Sequence, residues 1–333
     1  MKLLLSFALL ASVNAATISR SGSLDTLVHS LKEDADSAHG DVWAVLVAGN
    51  NEWYNYRHQA DISHAYQIMR LHGIAADHII TLIYDDIANS SDNQWPGTLF
   101  NNQLYHNNYL GVKVDYRGKD VTSDNFLGVL RGASTGTGKP VLKSTANDRV
   151  FVYFADHGGV GIIAFPDGDV LTAKSLDRTL GLMHKRNMYS KLVFYVEACE
   201  SGSMFEGILT PDRNIFALTA SWANESSYGV DCENSRNLPC LGDEFSVAWM
   251  ADSDRSLLST KKTSLVDGDV RRDGESIHVD CHHEVATAFA RECVNVMKNT
   301  HALRFMRVLN NLCSIASSEE ILTVFASSCG GRI

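Results

Sequence analysis

Apolar residues recur along the chain in short continuous runs, separated by segments in which apolar positions repeat every three or four residues. Several of the runs are too continuously apolar to be half exposed, which is typical of strands buried on both faces. Five runs predict strands, at 42–47, 78–84, 149–154, 191–196 and 215–219. Strands that alternate with helical segments indicate an α/β fold with a mostly parallel central sheet.

The segments between the runs predict the helices that cover this sheet. In the first of them, Gly73 lies just beyond a stripe of apolar residues and is expected to end the helix; the stripe consists of Ile62, Ala65, Tyr66 and Met69. The other predicted helices are 123–130, capped near Thr122, 173–184 and a third around 245–250. Residues 89–116 are rich in Asn and Gly and are predicted to form a loop.

The two ends of the chain differ from this pattern. Residues 1–15 combine one early Lys, a short apolar core and small residues near Ala15, which predicts a cleaved secretory signal. A polar segment, 16–40, follows it. Near the other end, residues 255–280 lose all periodicity and predict a linker. Two further helical stripes predict a small terminal module, 281–333; they are Val285, Phe289, Cys293 and Val296, then Phe305, Val308, Leu309 and Leu312.

Composition excludes several classes of function. The formal net charge is -10 and no long basic stretch occurs, so we set nucleic-acid binding aside. No segment after the signal approaches the roughly 20 apolar residues of a membrane span. Nothing resembles a phosphate-cradling glycine loop, and no cofactor is predicted. Two N-x-S/T triplets, at Asn89 and Asn224, are candidate glycosylation sites.

Two of the predicted strands end at a reactive residue. Residues 150–159 (VFVYFADHGG) contain His157, and residues 192–202 (LVFYVEACESG) contain Cys199. Functional residues of a parallel sheet lie beyond the carboxyl ends of the strands, so neighbouring strands would bring the two together. A thiol beside an imidazole base points to acyl transfer, with backbone amides near Gly158 and Cys199 receiving the charge on the carbonyl oxygen.

Other interpretations of these residues stay open at this stage. A lone His is more often structural than catalytic, and a free Cys is often a buried inert thiol. A zinc site built from Cys281, His282, His283 and Cys293 is a further alternative. A secretory route favours disulfides instead, and six of the seven cysteines can pair, which leaves Cys199 free.

Four motifs together resemble the legumain family, the asparaginyl endopeptidases also named vacuolar processing enzymes. They are WYNYRHQAD at 53–61, YDDI at 84–87, DHG at 156–158 and EACESGS at 197–203. The resemblance runs from about residue 42 to 254, the expected catalytic domain (41–254), and resumes over the four cysteines from Cys281 to Cys329. It implies a caspase-like three-layer fold and a cysteine endopeptidase that cuts after asparagine, and after aspartate at acid pH.

The resemblance also implies roles for individual residues. Cys199 would be the nucleophile and His157 its base, with Asn55 orienting the imidazole. Asp156 would be able to form a succinimide. The pocket for the asparagine side chain would comprise Arg57, His58, Glu197, Ser227 and Asp243. The implied disulfides are Cys232–Cys240, Cys281–Cys313 and Cys293–Cys329. Protein substrates and cystatin-type inhibitors would be the partners, and the lysosome, the vacuole or secretion the destination.

The match is incomplete between residues 254 and 281, where the chain is much shorter than a typical legumain. We hypothesise that the shortened module (281–333) still covers the cleft and that acid frees it by a cut in the linker. No asparagine lies between 252 and 280, so self-cleavage would use Asp267, Asp269 or Asp273. Alternatives are a peptide ligase or transamidase of the same family, or a catalytically silent binding form.

Overall fold

The computed structural model describes residues 40–258, 278–296, 299, 302–303, 305–314 and 316–329. The predicted secretory signal, nearly all of the polar segment and most of the linker, including the three candidate aspartates, lie outside these residues. Within the described ranges, no helix is both long enough and apolar enough to cross a membrane.

A five-stranded parallel sheet forms the centre of the fold. In chain order the strands of the described residues are β1 (Val42–Ala48), β2 (Ile79–Leu82), β3 (Arg149–Ala155), β4 (Gly158–Gly159), β5 (Ile162–Ala164), β6 (Val170–Thr172), β7 (Lys191–Glu197), β8 (Ile215–Thr219), β9 (Gly229–Val230) and β10 (Gly242–Asp243). The central sheet has the order β2-β1-β3-β7-β8, and every pairing in it is parallel. The prediction of a mostly parallel α/β sheet is confirmed.

Helices cover both faces of this sheet. These covering helices are α1 (Tyr56–Leu71), α2 (Ser123–Leu130), α3 (Ala173–Lys185) and α4 (Glu244–Leu258). The later helices of the described residues are α5 (Val279–Ala288), α6 (Phe305–Leu312) and α7 (Ser318–Ser328). Alternate residues of each strand point to opposite faces. Val150 and Val152 pack on the face covered by α2 and α3, whereas Phe151 and Tyr153 pack on the face covered by α1 and α4. The result is a three-layer α/β sandwich.

Most predicted boundaries agree with the structure to within a few residues. The strand predicted at 78–84 is shorter, and the helix predicted around 245–250 extends to Leu258. Thr122 caps α2 as expected, since its hydroxyl accepts a hydrogen bond from Asn125 N at 3.1 Å. Gly73 follows α1 with φ +86°, a conformation that favours glycine.

Two small sheets were not predicted, because their strands are only two or three residues long. Strands β4, β5 and β6 form one antiparallel sheet, and β9 and β10 form a hairpin. The first begins directly after His157, and the second ends at Asp243. Both therefore lie at the edge of the predicted site.

The C-terminal helices pack on the small sheet β4–β6. Their apolar cluster includes Val160 and Ile162 of the sheet and Val285 and Met306 of the helices. The predicted apolar stripe 305–312 was partly wrong. Phe305 and Val308 are exposed, while Met306 and Leu309 face the core. Disulfides join Cys281 to Cys313 and Cys293 to Cys329, so these thiols cannot serve as zinc ligands.

Candidate active site

His157 and Cys199 follow adjacent strands, and the turns that carry them lie side by side. Strands β3 and β7 pair in register up to Ala155 and Glu197, and Asp156 N then donates to Glu197 O at 3.0 Å. A Cβ atom added to Gly158 would lie 2.3 Å from Cys199 O, so only glycine fits between the two turns. Parallel pairing thus brings the His157 turn against the Cys199 turn.

Asn55 fixes the orientation of the His157 ring. Its Nδ2 donates to Asn51 O at 2.7 Å, which leaves Oδ1 facing His157 Nε2 at 2.9 Å. An amide oxygen can only accept, so Nε2 carries the hydrogen. In the neutral imidazole the other nitrogen, Nδ1, is then the basic one.

The environment of His157 favours the neutral ring. Burial lowers the pKa of His157 well below its usual range, and the neighbouring His58 and Arg57 add to the effect. The imidazole is therefore unprotonated, and able to accept a proton, even in mildly acidic solution.

Hydrogen bonds made by the residues that follow Cys199 hold the turn that carries it. Glu200, at φ +51°, donates its N–H to Glu225 O at 2.6 Å, and Ser201 N donates to Ser221 Oγ at 3.1 Å. Cys199 Sγ lies 3.6 Å from Ser227 O and is partly exposed. Cys199 is also the one cysteine without a disulfide. The thiol is thus both accessible and chemically free.

Asp243 is the centre of a buried polar cluster that contains residues of the predicted asparagine pocket. Its carboxylate lies 2.7 Å from Arg57 Nε and 2.8 Å from His58 Nδ1, and both Asp243 and His58 are buried. Burial alone would raise the pKa of Asp243, but the charges and hydrogen bonds of His58 and Arg57 outweigh it and lower the pKa. Asp243 is therefore ionised at any working pH.

Glu197, at the end of β7, has the opposite protonation state. Burial, followed by the nearby charge of Asp243, raises its pKa to about 8. Its Oε2 accepts hydrogen bonds from Ser246 N and Oγ at 3.0 and 2.9 Å. The pocket thus combines an ionised acceptor, a guanidinium and a carboxyl group that holds a proton below pH 8.

Asp156 is buried behind His157. Its Oδ1 accepts from Asn50 Nδ2 at 2.7 Å and lies 3.8 Å from His58 Nε2, and burial raises its pKa well above the usual range. Among the described residues, two sets of side chains lie close enough to hold a metal ion: His58, Asp156 and His157, and His58, Asp61 and Asp243. Both sets include His58, which belongs to the predicted pocket.

Sequence reasoning missed several polar residues of the pocket. Asp61 falls within the first family motif and four residues after Arg57, a spacing that puts both on one helix face, so a signal existed. Ser246 and Asn50 carry no such signal, because each binds a pocket carboxylate from a different part of the chain. The candidate glycosylation residue Asn89 is exposed, and Asn224 is partly exposed.

A model of the Peptidase C13 family matches residues 42–286, which is more than half of the chain. The chain belongs to the Peptidase C13 family. It is 53% identical to the vacuolar-processing enzyme delta-isozyme of Arabidopsis thaliana over 228 residues, which are 66% of this chain and 49% of that protein. It is 50% identical to the hemoglobinase of Schistosoma japonicum (69% of this chain, 53% of that protein) and 52% identical to bovine (Bos taurus) legumain (67% and 52%).

The chain spans about half the length of these family members. The matched residues, 42–286, contain all the candidate catalytic and pocket residues named above, which lie between Asn55 and Asp243.

The raised pKa of Glu197 predicts that the folded protein loses stability between pH 6.5 and pH 8. A carboxyl pKa raised from 4.5 to about 8 stabilises the fold below pH 4.5, and this contribution is lost as the pH rises through 8. The lowered pKa values of His58 and His157 act in the opposite sense, but only below about 6.5.

Urea unfolding at pH 6.5 and 8 measures this effect. We expect a loss of about 2 kcal/mol in the free energy of unfolding over this interval, since each pH unit below the raised pKa is worth about 1.4 kcal/mol. The loss should shrink in Glu197→Gln and persist in Glu244→Gln, an exposed glutamate of α4. Equal losses of stability in both variants would contradict the assignment of the pH effect to Glu197.

Proposed function

We propose that the protein is a cysteine endopeptidase that hydrolyses peptide bonds after asparagine, and after aspartate at acid pH. The observation that carries the proposal is the pocket itself. It holds the ionised Asp243, paired with Arg57, and the protonated Glu197 beside a free thiol. A carboxamide offers one carbonyl acceptor and an NH2 donor, and these groups can satisfy both ends.

The reaction follows from the positions of Cys199 and His157. The Cys199 sulfur attacks the scissile carbonyl carbon while His157 Nδ1 accepts the thiol proton. The N–H groups of Gly158 and Cys199 stabilise the oxyanion. As the C–N bond breaks, His157 returns the proton to the leaving amine and a thioester remains. Water, deprotonated by His157, then hydrolyses the thioester and frees the thiol.

The same pocket accounts for the expected pH dependence of selectivity. An ionised aspartate side chain would meet the negative charge of Asp243 in a buried space, and like charges repel strongly there. A protonated aspartate is neutral and close in shape to asparagine. Cleavage after aspartate should therefore appear only as the pH falls towards the pKa of that side chain.

Location and partners follow from the predicted secretory signal and the family. We propose that the protein enters the secretory pathway and acts in a lysosome or vacuole, or outside the cell. Its substrates are proteins and peptides, and cystatin-type inhibitors are the expected regulators. A catalytically silent binding role is disfavoured by the intact hydrogen bond from His157 to Asn55, which binding alone does not require.

We further propose that the C-terminal module restricts the cleft. Gly159, two residues after His157, lies so close to α6 that an added Cβ would meet Met306 Cγ at 2.9 Å. Met306→Asp should expel the module and raise the turnover by the intact chain several-fold, because a buried charge without a partner is costly. Val308→Asp, on the exposed side of the same helix, is the control, and equal activity of both variants would argue against restriction.

The proposed specificity is tested with matched fluorogenic peptides that place asparagine, aspartate or arginine before the reporter. We expect turnover of the asparagine peptide at pH 5.5 and 7, of the aspartate peptide at pH 5.5 only, and none of the arginine peptide. Acid incubation beforehand, followed by mass spectrometry, shows whether the linker is cut. Equal turnover of all three peptides would contradict the proposed pocket.

A further inference from the structure

A chain of hydrogen bonds runs from the surface of the catalytic domain to the buried pocket. It begins at Asp254 in α4, passes through His64 in α1 and Asn101 in the loop 89–116, and ends at Asp61. His64 Nε2 lies 3.0 Å from Asp254 Oδ2, and His64 Nδ1 lies 2.8 Å from Asn101 Oδ1. Asn101 Nδ2 donates to Asp61 Oδ1 at 2.6 Å. The peptidase mechanism above uses none of these contacts.

The direction of each hydrogen bond in this chain is determined by Asn101. Its Nδ2 also donates to Leu241 O at 3.1 Å, and a carbonyl oxygen can only accept. The amide oxygen of Asn101 must therefore face His64, and His64 Nδ1 must donate to it. With Nδ1 occupied in this way, the other ring nitrogen, Nε2, is the one that contacts the Asp254 carboxylate.

The same logic determines which oxygen of Asp61 holds a proton. Burial, then the neighbouring Asp243 and Glu197, raises the pKa of Asp61 well above its usual range, so the group is protonated. Its Oδ1 must accept from Asn101, so the proton lies on Oδ2. That oxygen is buried and makes no hydrogen bond in the structure, and the carboxyl groups of Asp61 and Asp243 approach to within 4.8 Å of each other. The proton on Asp61 Oδ2 is thus free to be donated towards the Asp243 carboxylate.

The packing around Asn101 and Asp61 is close on the side of the β9–β10 hairpin. Gly242, the residue before Asp243, lies directly against the pair. A Cβ atom added to Gly242 would be 3.0 Å from Asn101 Nδ2 and 3.1 Å from Asp61 Oδ1. The hairpin that carries Asp243 is therefore built against this hydrogen bond.

We propose that Asn101 and His64 are positioning residues that hold Asp61 as a donor to Asp243 and so set the preference of the pocket for a carboxamide over a carboxylate. This inference rests on the asparagine pocket of the proposed function. With Asp61 donating, Asp243 stays in place beside Arg57 and His58 as an acceptor for the substrate NH2. If Asn101 turned its oxygen towards Asp61, the Asp61 proton would move from Oδ2 to Oδ1. Two hydrogen-bond acceptors, Asp61 Oδ2 and the Asp243 carboxylate, would then face each other.

A purely structural role of the same contacts makes a different prediction. If the hydrogen bonds only attach the loop 89–116 to α1, any residue that holds the loop will serve. If they position Asp61, position 64 must present a donor to Asn101. Two substitutions separate these cases: His64→Asn places an amide nitrogen where Nδ1 lies, and His64→Gln places one near Nε2.

The experiment compares kcat/KM for matched asparagine and aspartate peptides, from pH 5 to 7, in both His64 variants. We expect His64→Asn to keep the asparagine preference of the unaltered chain. His64→Gln keeps only the contact to Asp254, and its asparagine-to-aspartate ratio should fall about tenfold, as expected for one misdirected buried hydrogen bond. The pH dependence of that ratio should flatten in the same variant.

A second pair of variants tests Asn101 directly. Asn101→Asp removes the amide donor to Asp61 and should lower the ratio at least as much as His64→Gln does. Asn102→Asp adds the same charge one residue away, where the side-chain oxygen only accepts a hydrogen bond from Leu104 N. This control should keep the ratio.

The outcomes separate the two proposals. An asparagine-selective unaltered chain whose ratio is the same in all four variants would overturn the positioning role alone. Equal loss in His64→Asn and His64→Gln would also overturn it, in favour of a structural role. An unaltered chain without any asparagine preference would overturn the proposed function, and with it the positioning role.

Discussion

Cys199→Ala should lose at least about 10⁴-fold in kcat towards the asparagine peptide, since the acyl intermediate forms on the Cys199 sulfur. Cys199 is partly exposed and free of disulfides, and the His157 turn lies against it. Removing a thiol from this position leaves the hydrogen bonds of the following turn intact, so folding should not change.

Binding provides the internal control for this variant. The pocket lies beside the thiol and does not include it, so Cys199→Ala should still bind the asparagine peptide, as measured by fluorescence polarisation. Substantial turnover by folded Cys199→Ala would mean that another residue is the nucleophile. Loss of both binding and turnover would show only that the variant is misfolded, and circular dichroism separates that case.

Asp243→Asn should give the second largest effect, and one that changes selectivity. The substitution keeps the size of the side chain and removes the charge that is held by Arg57 and His58. We expect turnover of the asparagine peptide to fall at least about 100-fold, since removing one partner of a buried pair costs about 3–5 kcal/mol. Cleavage after aspartate should fall less, because the repulsive charge is gone.

Asp231→Asn is the matched control for this pocket variant. Asp231 follows β9 in the same hairpin loop, and its carboxylate contacts Gln103 near the surface. Its backbone has φ +55°, which asparagine adopts readily. The control removes the same charge outside the pocket and should keep both activity and selectivity. If the control lost as much selectivity as Asp243→Asn, the change in net charge, and not the pocket, would be the cause of the loss.

The sequence predicted the central fold well because the sheet is buried on both faces. Continuous apolar runs such as 150–155 have few alternatives to a buried strand. Two of these runs also placed His157 and Cys199 at neighbouring strand ends, where the structure brings their turns into contact. Periodicity was less informative for α6, where Phe305 and Val308 belong to the predicted apolar stripe but are exposed. A prediction from periodicity assumes that the apolar residues of a helix all lie on one buried face.

The polar interior of the pocket could not be predicted in this way. Asp61 and Asn101 interact across 40 residues, and Ser246 reaches Glu197 across 49. Such contacts depend on how the loop 89–116 and the β9–β10 hairpin fold back onto α1, and neither segment has a periodic pattern. Polar residues in a loop are usually solvated, so nothing local marks Asn101 as buried.

Labelling with an electrophilic peptide probe tests whether Cys199 is a nucleophile that lies beside a pocket for asparagine. The probe carries asparagine next to a thiol-reactive ketone, and intact-mass analysis followed by peptide mapping locates the adduct. We expect one adduct per chain, on Cys199. Excess asparagine peptide should prevent this adduct, and an arginine probe should not form it. Labelling of another residue, or equal labelling by both probes, would contradict the assignment of nucleophile and pocket.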